Sequence, residues 1–424
     1  MKTISQISEV RIRRSMRERF NPIKTLSPDS LLRTLDLFSA GYLKTAALTW
    51  EAIERRDDVI QGVAGKRKKS ISRLNWSILS TDDSDLAKAQ RRVLEYFYNN
   101  ISVSGACDRN ERGGMPLLVR QMMDAVGKKY AVHEIIFEPK RNDEFPRLNL
   151  ATPSTLLTAT FRFVPLWFFE NRDGELKFLA DEGVSSGISL EPGAWLVTVG
   201  DGLMEACSIA YMFKHLPMRD WLIYCERNGM PGVKGVTDAP PNTPQWEAAR
   251  GAVEDFGAEF NALMSRGTDI TAVDLSTRGE LPYPQLVDRM DRAISALWRG
   301  SDLATLSRQS GAGASLQSEE VGILEIDDAG MISETLNAQV DKFVIRHLFG
   351  DVPIKSYIKL MPSVRKDFEG ELHMLNELRK MGMPISLSET RERFNLSTPI
   401  DGEPLLGSPV KANGNIGETG EEKK

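Results

Sequence analysis

The chain has 424 residues, of which 41% are hydrophobic, and it carries a formal net charge of −5 at pH 7. This length is enough for two or three domains. The acidic balance, with an isoelectric point near 5.7, argues against a protein that coats nucleic acid through many phosphate contacts. Three cysteines without paired spacing favour a reducing compartment, and the apolar runs fall short of the ~20 residues that span a membrane. The N-terminal segment has no hydrophobic signal core, so export is not expected.

Residues 1–27 form an arm in which arginine and lysine outnumber the acidic residues. Ser27, Pro28 and Asp29 then predict the start of a helix, and the apolar spacing carries that helix to Ile53. The chain up to about residue 200 mixes helical and strand periodicity, so an α+β fold is predicted. Helices are expected at 82–100 and 116–126, and strands at 74–78, 130–138, 158–170, 175–180 and 194–199. The segment 171–174 has the composition of a hairpin turn between two of these strands.

After Gly202 the pattern changes to long amphipathic helices. The first covers residues 205–228, and Pro217 is expected to open or kink it. Asn228 and Gly229 end it, because both tolerate the left-handed conformation at a helix C-terminus. Its apolar face consists of Leu216, Met218, Trp221, Leu222 and Cys225. An insert at 230–280 and a second amphipathic helix at 284–299 follow; the insert is predicted to hold a helix near 244–264, with Trp246 and Phe256 in a small core, and a strand at 269–275.

Residues 301–318 are rich in Gly, Ala, Ser and Gln and have little capacity to form a core. A very long helix is predicted from about Ser318 to Gly350, because its acidic residues lie near its beginning and its basic residues near its end, as the helix dipole favours. Shorter helices are expected at 363–381 and 387–394. The polar tail that follows is expected to be disordered.

Residues that carry catalysis in other proteins do not form a recognisable site in this sequence. His133-Glu134 lacks the second histidine of a zinc-protease helix, and Gly65-Lys66 lacks the upstream glycine of a phosphate loop. Gly311-Ala312-Gly313 lacks the third glycine of a dinucleotide loop. Charged runs are interpreted as surface features: a solvated basic face at 66–69 and caps at 57–58 and 82–83. On the residues alone, a metal-dependent DNA-processing enzyme and a DNA-binding module led by the basic arm stay open as hypotheses.

Four blocks, in this order along the chain, resemble the portal proteins of tailed phages, in the Mu-like branch. They are residues 26–78, 157–179, 213–235 and 296–315. The resemblance extends over about residues 25–400 and implies a portal fold with a mixed α/β wing, a two-helix stem, a small α/β clip, a long kinked helix and a helical crown. The threonine-rich sequence that usually follows the second stem helix is only partly kept, as Leu303-Ala304-Thr305-Leu306.

The resemblance also implies a division of the chain into the parts of a portal subunit. These are the basic arm at 1–27, the first part of the wing at 28–204, the first stem helix at 205–229, the clip at 230–280, the second stem helix at 281–300, the tunnel loop at 301–318, the long wing helix at 319–354, the crown at 355–398 and a disordered tail at 399–424.

The function implied by the resemblance is a non-enzymatic ring, typically a dodecamer, at one capsid vertex of the virion, assembled in the host cytoplasm. Double-stranded DNA would be packaged and ejected through its axial channel, and the terminase packaging motor, the head–tail adaptor and the major capsid protein would be its partners. No membrane, cofactor or metal is implied. The residues expected to line the DNA channel are Arg299, Ser307, Arg308, Gln309, Ser310, Gly311 and Gly313. The residues expected to dock the motor and adaptor are Pro240, Pro244, Asp269, Thr271 and Asp274.

Overall fold

The structure is a computed structural model that describes most of the chain between Leu26 and Met383. The described residues are 23, 26–108, 110–141, 155–179, 186–229, 233–256, 261–265, 283–300, 312–362, 368–383, 386 and 390. Several predicted features lie outside them: most of the arm at 1–27, residues 301–311, the strand at 269–275, the helix at 387–394 apart from Thr390, and the tail at 399–424.

The helices and strands of the described residues are as follows. The helices are α1 (Pro28–Ser39), α2 (Leu43–Arg56), α3 (Asp58–Ser72), α4 (Asp85–Asn99), α5 (Met115–Met122), α6 (Asp124–Lys128), α7 (Met204–Gly229), α8 (Pro244–Phe256), α9 (Tyr283–Arg299), α10 (Ala312–Leu336), α11 (Lys342–Phe349) and α12 (Phe368–Lys380). The strands are β1 (Asn75–Ser80), β2 (Ser102–Gly105), β3 (Arg112–Gly113), β4 (Tyr130–Arg141), β5 (Thr155–Val164), β6 (Phe169–Glu170), β7 (Lys177–Phe178), β8 (Ile188–Ser189), β9 (Trp195–Val199), β10 (Val233–Thr237), β11 (Asn261–Ser265) and β12 (Ser356–Met361).

A capping box starts the first helix, as Ser27 predicted. The backbone N–H groups of Ser27 and Ser30 each donate to the other residue's hydroxyl, and Pro28 takes the first helical position. The single helix predicted to reach Ile53 is nevertheless wrong, because the chain turns at Gly41 between α1 and α2. Gly41 has φ +89, a conformation that favours glycine, and an added Cβ would lie 2.3 Å from the carbonyl oxygen of Asn171.

A mixed sheet with the order β3-β2-β5-β4-β9 organises the α+β body. β4 pairs antiparallel with both β5 and β9, whereas β2 and β5 are parallel. Ile135 and Phe161 face each other in the β4–β5 pair, and both are buried. Helices α2, α4 and α5 add Trp50, Phe97 and Leu118 to the same core.

The predicted strand at 158–170 is interrupted. β5 ends at Val164, and Pro165 is followed by a 3₁₀ turn at Leu166–Phe168 before β6 begins. Proline lacks the N–H that a continuous strand needs, which explains the break. The predicted hairpin turn at 171–174 is confirmed, since it joins the antiparallel strands β6 and β7 and Gly174 has φ +83.

The long helices differ from prediction in three places. α7 runs through Pro217, so this proline does not open the helix. α8 ends at Phe256, and the residues predicted to continue it to 264 include strand β11. The long helix begins at Ala312 instead of Ser318, so Gly313, expected in a loop, is helical; a π-helical turn at Asn337–Asp341 separates α10 from α11.

The expected helical crown does not begin at 355, because residues 356–361 form β12. This strand pairs antiparallel with β1, with Ile78 opposite Ile358. Alternating burial of Ser356, Ile358 and Leu360 explains the strand and places it in the α+β body. The chain divides into two compact units at Ser363, and the second unit contains α12.

Candidate functional site

Helices α7 and α9 form an antiparallel hairpin. The indole N–H of Trp298 donates to the Sγ atom of Cys207 at 3.1 Å, and seven residues further along α7 the Lys214 ammonium lies 2.7 Å from Asp291, seven residues earlier in α9. Because the contacting residue number rises along α7 while it falls along α9, the two helices run in opposite directions. Burial raises the pKa of the Cys207 thiol to about 12, so this thiol is a packing group.

Lys214 joins the hairpin to the body. Its side chain is 6% exposed, and its Nζ atom lies 3.0 Å from Asp57, 3.1 Å from Asp58 and 2.7 Å from Asp291. Burial lowers the pKa of Lys214, but the three carboxylates outweigh burial and the pKa is raised. Asp57 also accepts the N–H of Ile60 and caps α3, so the predicted cap is confirmed, but Asp57 is buried and not on the surface.

Arg67 fixes the long helix α10 and the end of α9. Its Nε and Nη2 atoms donate to the two carboxylate oxygens of Asp328 at 2.7 and 2.9 Å, and its Nη1 atom donates to the carbonyl of Trp298 at 3.2 Å. Such a two-point arginine–carboxylate contact fixes orientation as well as distance. One residue of α3 therefore holds two other helices.

Lys68, the next residue, connects α3 with α2 and α6. Its ammonium donates to Glu54 at 2.5 Å and to Asp124 at 2.8 Å, and Lys128 donates to the other oxygen of Asp124 at 2.8 Å. Burial raises the pKa of Asp124, but the two lysines outweigh burial and hold it well below its ordinary range. The interior of the helical layer thus carries two lysines and two carboxylates in mutual contact.

The solvated basic face predicted at 66–69 is therefore wrong for Arg67 and Lys68, although Lys66 and Lys69 are exposed. A helix with 3.6 residues per turn turns neighbouring residues to different sides, so two members of a basic run can point inward. The partners of Arg67 and Lys68 lie 261 and 56 positions away, which local sequence patterns do not reveal. Within the described ranges, no group of three or more His, Cys, Asp or Glu side chains is placed to hold a metal ion.

The insert between α7 and α9 is a βαβ unit. β10 and β11 are parallel, with Gly235 opposite Leu263, and α8 makes the connection. Pro244 is the first residue of α8, and the hydroxyl of Thr243 accepts the N–H of Trp246 at 3.3 Å. Pro240 and Pro244 are exposed at one end of this unit. Asp269, Thr271 and Asp274 lie outside the described residues.

The predicted channel residues are only partly described. Arg299 is half-buried and is the last residue of α9, where Gly300 with φ +74 ends the helix. Ser307, Arg308, Gln309, Ser310 and Gly311 lie outside the described residues, and Gly313 lies in the first turn of α10. No helix in the described ranges is both long and apolar enough to cross a membrane.

α7 exposes apolar side chains on opposite sides. Phe213 is 51% exposed and Leu222 is 62% exposed. They are nine residues apart, which is about 2.5 turns of α-helix, so they point in opposite directions. Both flanks of the hairpin therefore present apolar surface, of the kind that marks an interaction site when it forms a patch.

Comparison with known proteins identifies the family of the chain. Residues 47–396 match the family described as "Portal protein of Mu bacteriophage", a span that includes the hairpin, its insert and the buried ion pairs. The chain belongs to this family. The portal resemblance of the four sequence blocks is thereby confirmed, and the protein has a phage portal role.

The chain is also similar to solved structures. The neck of a native gene transfer agent particle computed with C12 symmetry has a TM-score of 0.50 and 11% identity, with 88% of this chain and 96% of that chain covered. An HK97 family phage portal protein from Corynebacterium diphtheriae has a TM-score of 0.41 and 10% identity, with 82% and 100% covered. No curated protein sequence matches the chain.

Proposed function

We propose that this portal protein forms a ring of identical subunits at one capsid vertex of a phage particle, and that double-stranded DNA passes through the axis of the ring during packaging and ejection. The observation that carries the proposal is the family match over residues 47–396. The neck structure computed with C12 symmetry supports a ring of twelve subunits. The ring acts without enzymatic chemistry of its own; it is assembled in the host cytoplasm with the major capsid protein and then belongs to the virion.

The stem of each subunit is the α7–α9 hairpin, and its two apolar flanks support lateral packing. A ring closes through head-to-tail contacts in which each subunit uses two different surfaces. Phe213 and Leu222 lie on such different surfaces. Each neighbour therefore covers one flank of α7, while Lys214 holds the hairpin rigidly against its own body.

Charged substitutions on the two flanks test this packing. We expect Phe213→Glu and Leu222→Glu each to prevent ring closure in light scattering, since each places a charge in an apolar contact. Mixing the two variants leaves one intact contact per pair, so dimers form and rings do not. Ile188→Glu, at a comparably exposed isoleucine of β8, outside the hairpin, is the matched control and keeps the ring. Normal rings from both stem variants would contradict the proposed interface.

The βαβ insert at 230–280 is proposed as the clip, which docks the terminase motor and the head–tail adaptor. It lies between the two hairpin helices, and its two described strands pair with each other, which supports projection from the stem. Pro240 and Pro244 are the exposed candidates, with Asp269, Thr271 and Asp274 further along the chain. Replacing residues 240–244 by glycine and serine is expected to leave rings intact and block tail attachment, and normal infectious particles from this variant would overturn the assignment.

The segment 301–318 is proposed to line the channel, with its last residues in the first turns of α10. Arg299 and Arg308 supply its positive charges, and Ser307, Gln309, Ser310, Gly311 and Gly313 supply weak polar contacts or backbone freedom. Arg308→Ala is expected to loosen DNA retention in filled particles more at low than at high salt, because exposed charge contacts are screened. Arg292→Ala, an exposed stem arginine, is the matched control. Equal leakage from both variants would refute a channel position for Arg308.

A further inference from the structure

The π-helical turn Asn337–Asp341 ties the long helix to three other elements. The helix runs through it, since Leu336 and Lys342 on either side keep ordinary helical dihedrals. The amide of Gln339 accepts the N–H of Val197 and donates to its carbonyl, both at 2.8 Å, and so occupies the edge of β9. Isolated π turns inside α-helices occur frequently at functional sites.

Asp341 makes the other two connections. The hydroxyl of Tyr98 in α4 donates to its Oδ1 atom at 2.6 Å, and the N–H of Ile358 in β12 donates to its Oδ2 atom at 2.8 Å. Asp341 is fully buried. In the same turn the Oδ1 atom of Asn337 is buried with no hydrogen-bond partner among the described residues. One turn thus holds a buried acid and a buried amide oxygen without a hydrogen bond. A buried polar atom without a partner costs free energy, so an arrangement of the turn that gives Asn337 a partner would be favoured.

No charged group contacts Asp341 within the described residues. Tyr98 is the titratable side chain that faces it, and β9 contributes none. On the long helix and β12, Glu334, Lys342, Arg346, His347 and Lys359 are exposed, and Tyr357 lies on the opposite face of β12. On α4, Glu95 pairs with Arg91, Tyr96 is half-buried, and the remaining ionisable side chains are exposed: Asp85, Lys88, Arg91 and Arg92. Burial raises the pKa of Asp341 to about 6, with the hydrogen bonds from Tyr98 and Ile358 opposing the rise.

The two protonation states of Asp341 suit different arrangements of the turn. As a neutral acid, Asp341 can donate to the Tyr98 oxygen, because a hydroxyl also accepts, while Ile358 continues to donate to the other oxygen. Both contacts survive and no charge is buried. As a carboxylate, Asp341 keeps both contacts but buries a charge without a cation, which favours any arrangement that exposes it.

We propose that Asp341 makes the π turn a pH-dependent joint of the long helix, closed when this side chain is neutral and loosened when it is ionised. Because the pKa of Asp341 is higher in the closed joint than in water, its contribution to closure is full at low pH and is lost as the pH rises through about 6. Opening breaks the hydrogen bonds of the π turn to β9, β12 and α4, and the rest of the α+β body stays folded.

Hydrogen exchange of the full-length protein between pH 5 and pH 8, read by mass spectrometry and corrected for intrinsic rates, tests the joint. With an exposed aspartate pKa of about 3.9 and a closed value of about 6, opening is expected to be about tenfold more frequent at pH 8 than at pH 5 in peptides covering 337–345 and 356–361. Asp341→Asn, which resembles the neutral acid, is expected to abolish this ratio.

A second variant keeps the test decisive if Asp341→Asn does not fold. Tyr98→Phe removes a donor to the carboxylate, so the pH 8 to pH 5 ratio is expected to exceed that of the wild-type chain. A wild-type ratio near one would overturn the proposal. So would an unchanged tenfold ratio in Asp341→Asn, or a Tyr98→Phe ratio no larger than the wild-type ratio.

Discussion

Removing the Arg67 guanidinium is the sharpest test of the buried ion pairs that hold the portal hairpin and the long helix to the body. Arg67→Ala deletes two hydrogen bonds to Asp328 and one to the carbonyl of Trp298. The Arg67 and Asp328 side chains are only 8% and 5% exposed, so water does not replace the lost partner. Asp328 is left as a buried acid without a cation.

The size of the effect follows from this burial. Removing one partner of a buried ion pair costs about 3–5 kcal/mol of unfolding free energy. Unfolding entropy is about 2.1 cal/mol/K per residue, so for the unit Met1–Ser363 the loss corresponds to a Tm decrease of about 4–7 °C. Burial already raises the pKa of Asp328 with Arg67 present, and the rise is larger without it. The destabilisation is therefore lost as the pH falls and Asp328 takes up a proton.

Thermal unfolding followed by circular dichroism at pH 8 and pH 5 measures both effects. Arg91→Ala is the matched control, since Arg91 pairs with Glu95 on the exposed face of α4, where an ion pair contributes less than about 1 kcal/mol. The expected Tm decrease is several degrees for Arg67→Ala and about one degree or less for Arg91→Ala. Equal decreases, or an Arg67→Ala decrease that is the same at both pH values, would show that the Arg67–Asp328 ion pair does not stabilise the fold in this way.

Two further substitutions follow from the same packing. Lys214→Met removes the cation shared by the buried Asp57 and the half-buried Asp291. Burial already raises the pKa of Asp291 with Lys214 present, and the rise is larger without it, so the Tm decrease is expected to be larger at pH 8 than at pH 5; a decrease that does not depend on pH would argue against a shared cation. Gly41→Ala is expected to cost more than about 2 kcal/mol in denaturant titration, because of its positive φ and the Asn171 carbonyl, whereas Gly62→Ala, in open space within α3, gains about 0.5–1 kcal/mol. Similar values for the two alanine variants would contradict this account.

The sequence predicted the parts of the fold that depend on local chemistry. The cap at Ser27, the hairpin turn at 171–174 and the end of α7 at Gly229 are all set by neighbouring residues. The strand at 356–361 was missed because its pairing partner, β1, lies nearly 280 positions earlier. The π turn was missed because helical periodicity does not record one extra residue in a turn.

The candidate site divides in the same way. The order of the portal-like blocks identified the family, and the family match at 47–396 covers all of them except residues 26–46 of the first block. Arg67 and Lys68 could not be identified from the sequence as buried residues. A basic residue that faces the core has the same sequence signal as one that faces solvent until its carboxylate partner is located. Burial of these two charges depends on tertiary contacts of α3 with α2, α6 and α10.

Electron microscopy of the purified full-length protein in negative stain tests whether the chain forms a ring. We expect rings with an open centre, and class averages with the rotational symmetry of identical subunits. The Phe213→Glu and Leu222→Glu variants should give isolated subunits under the same conditions. Wild-type protein that stays monomeric at micromolar concentration, or forms compact particles without a central opening, would contradict ring formation.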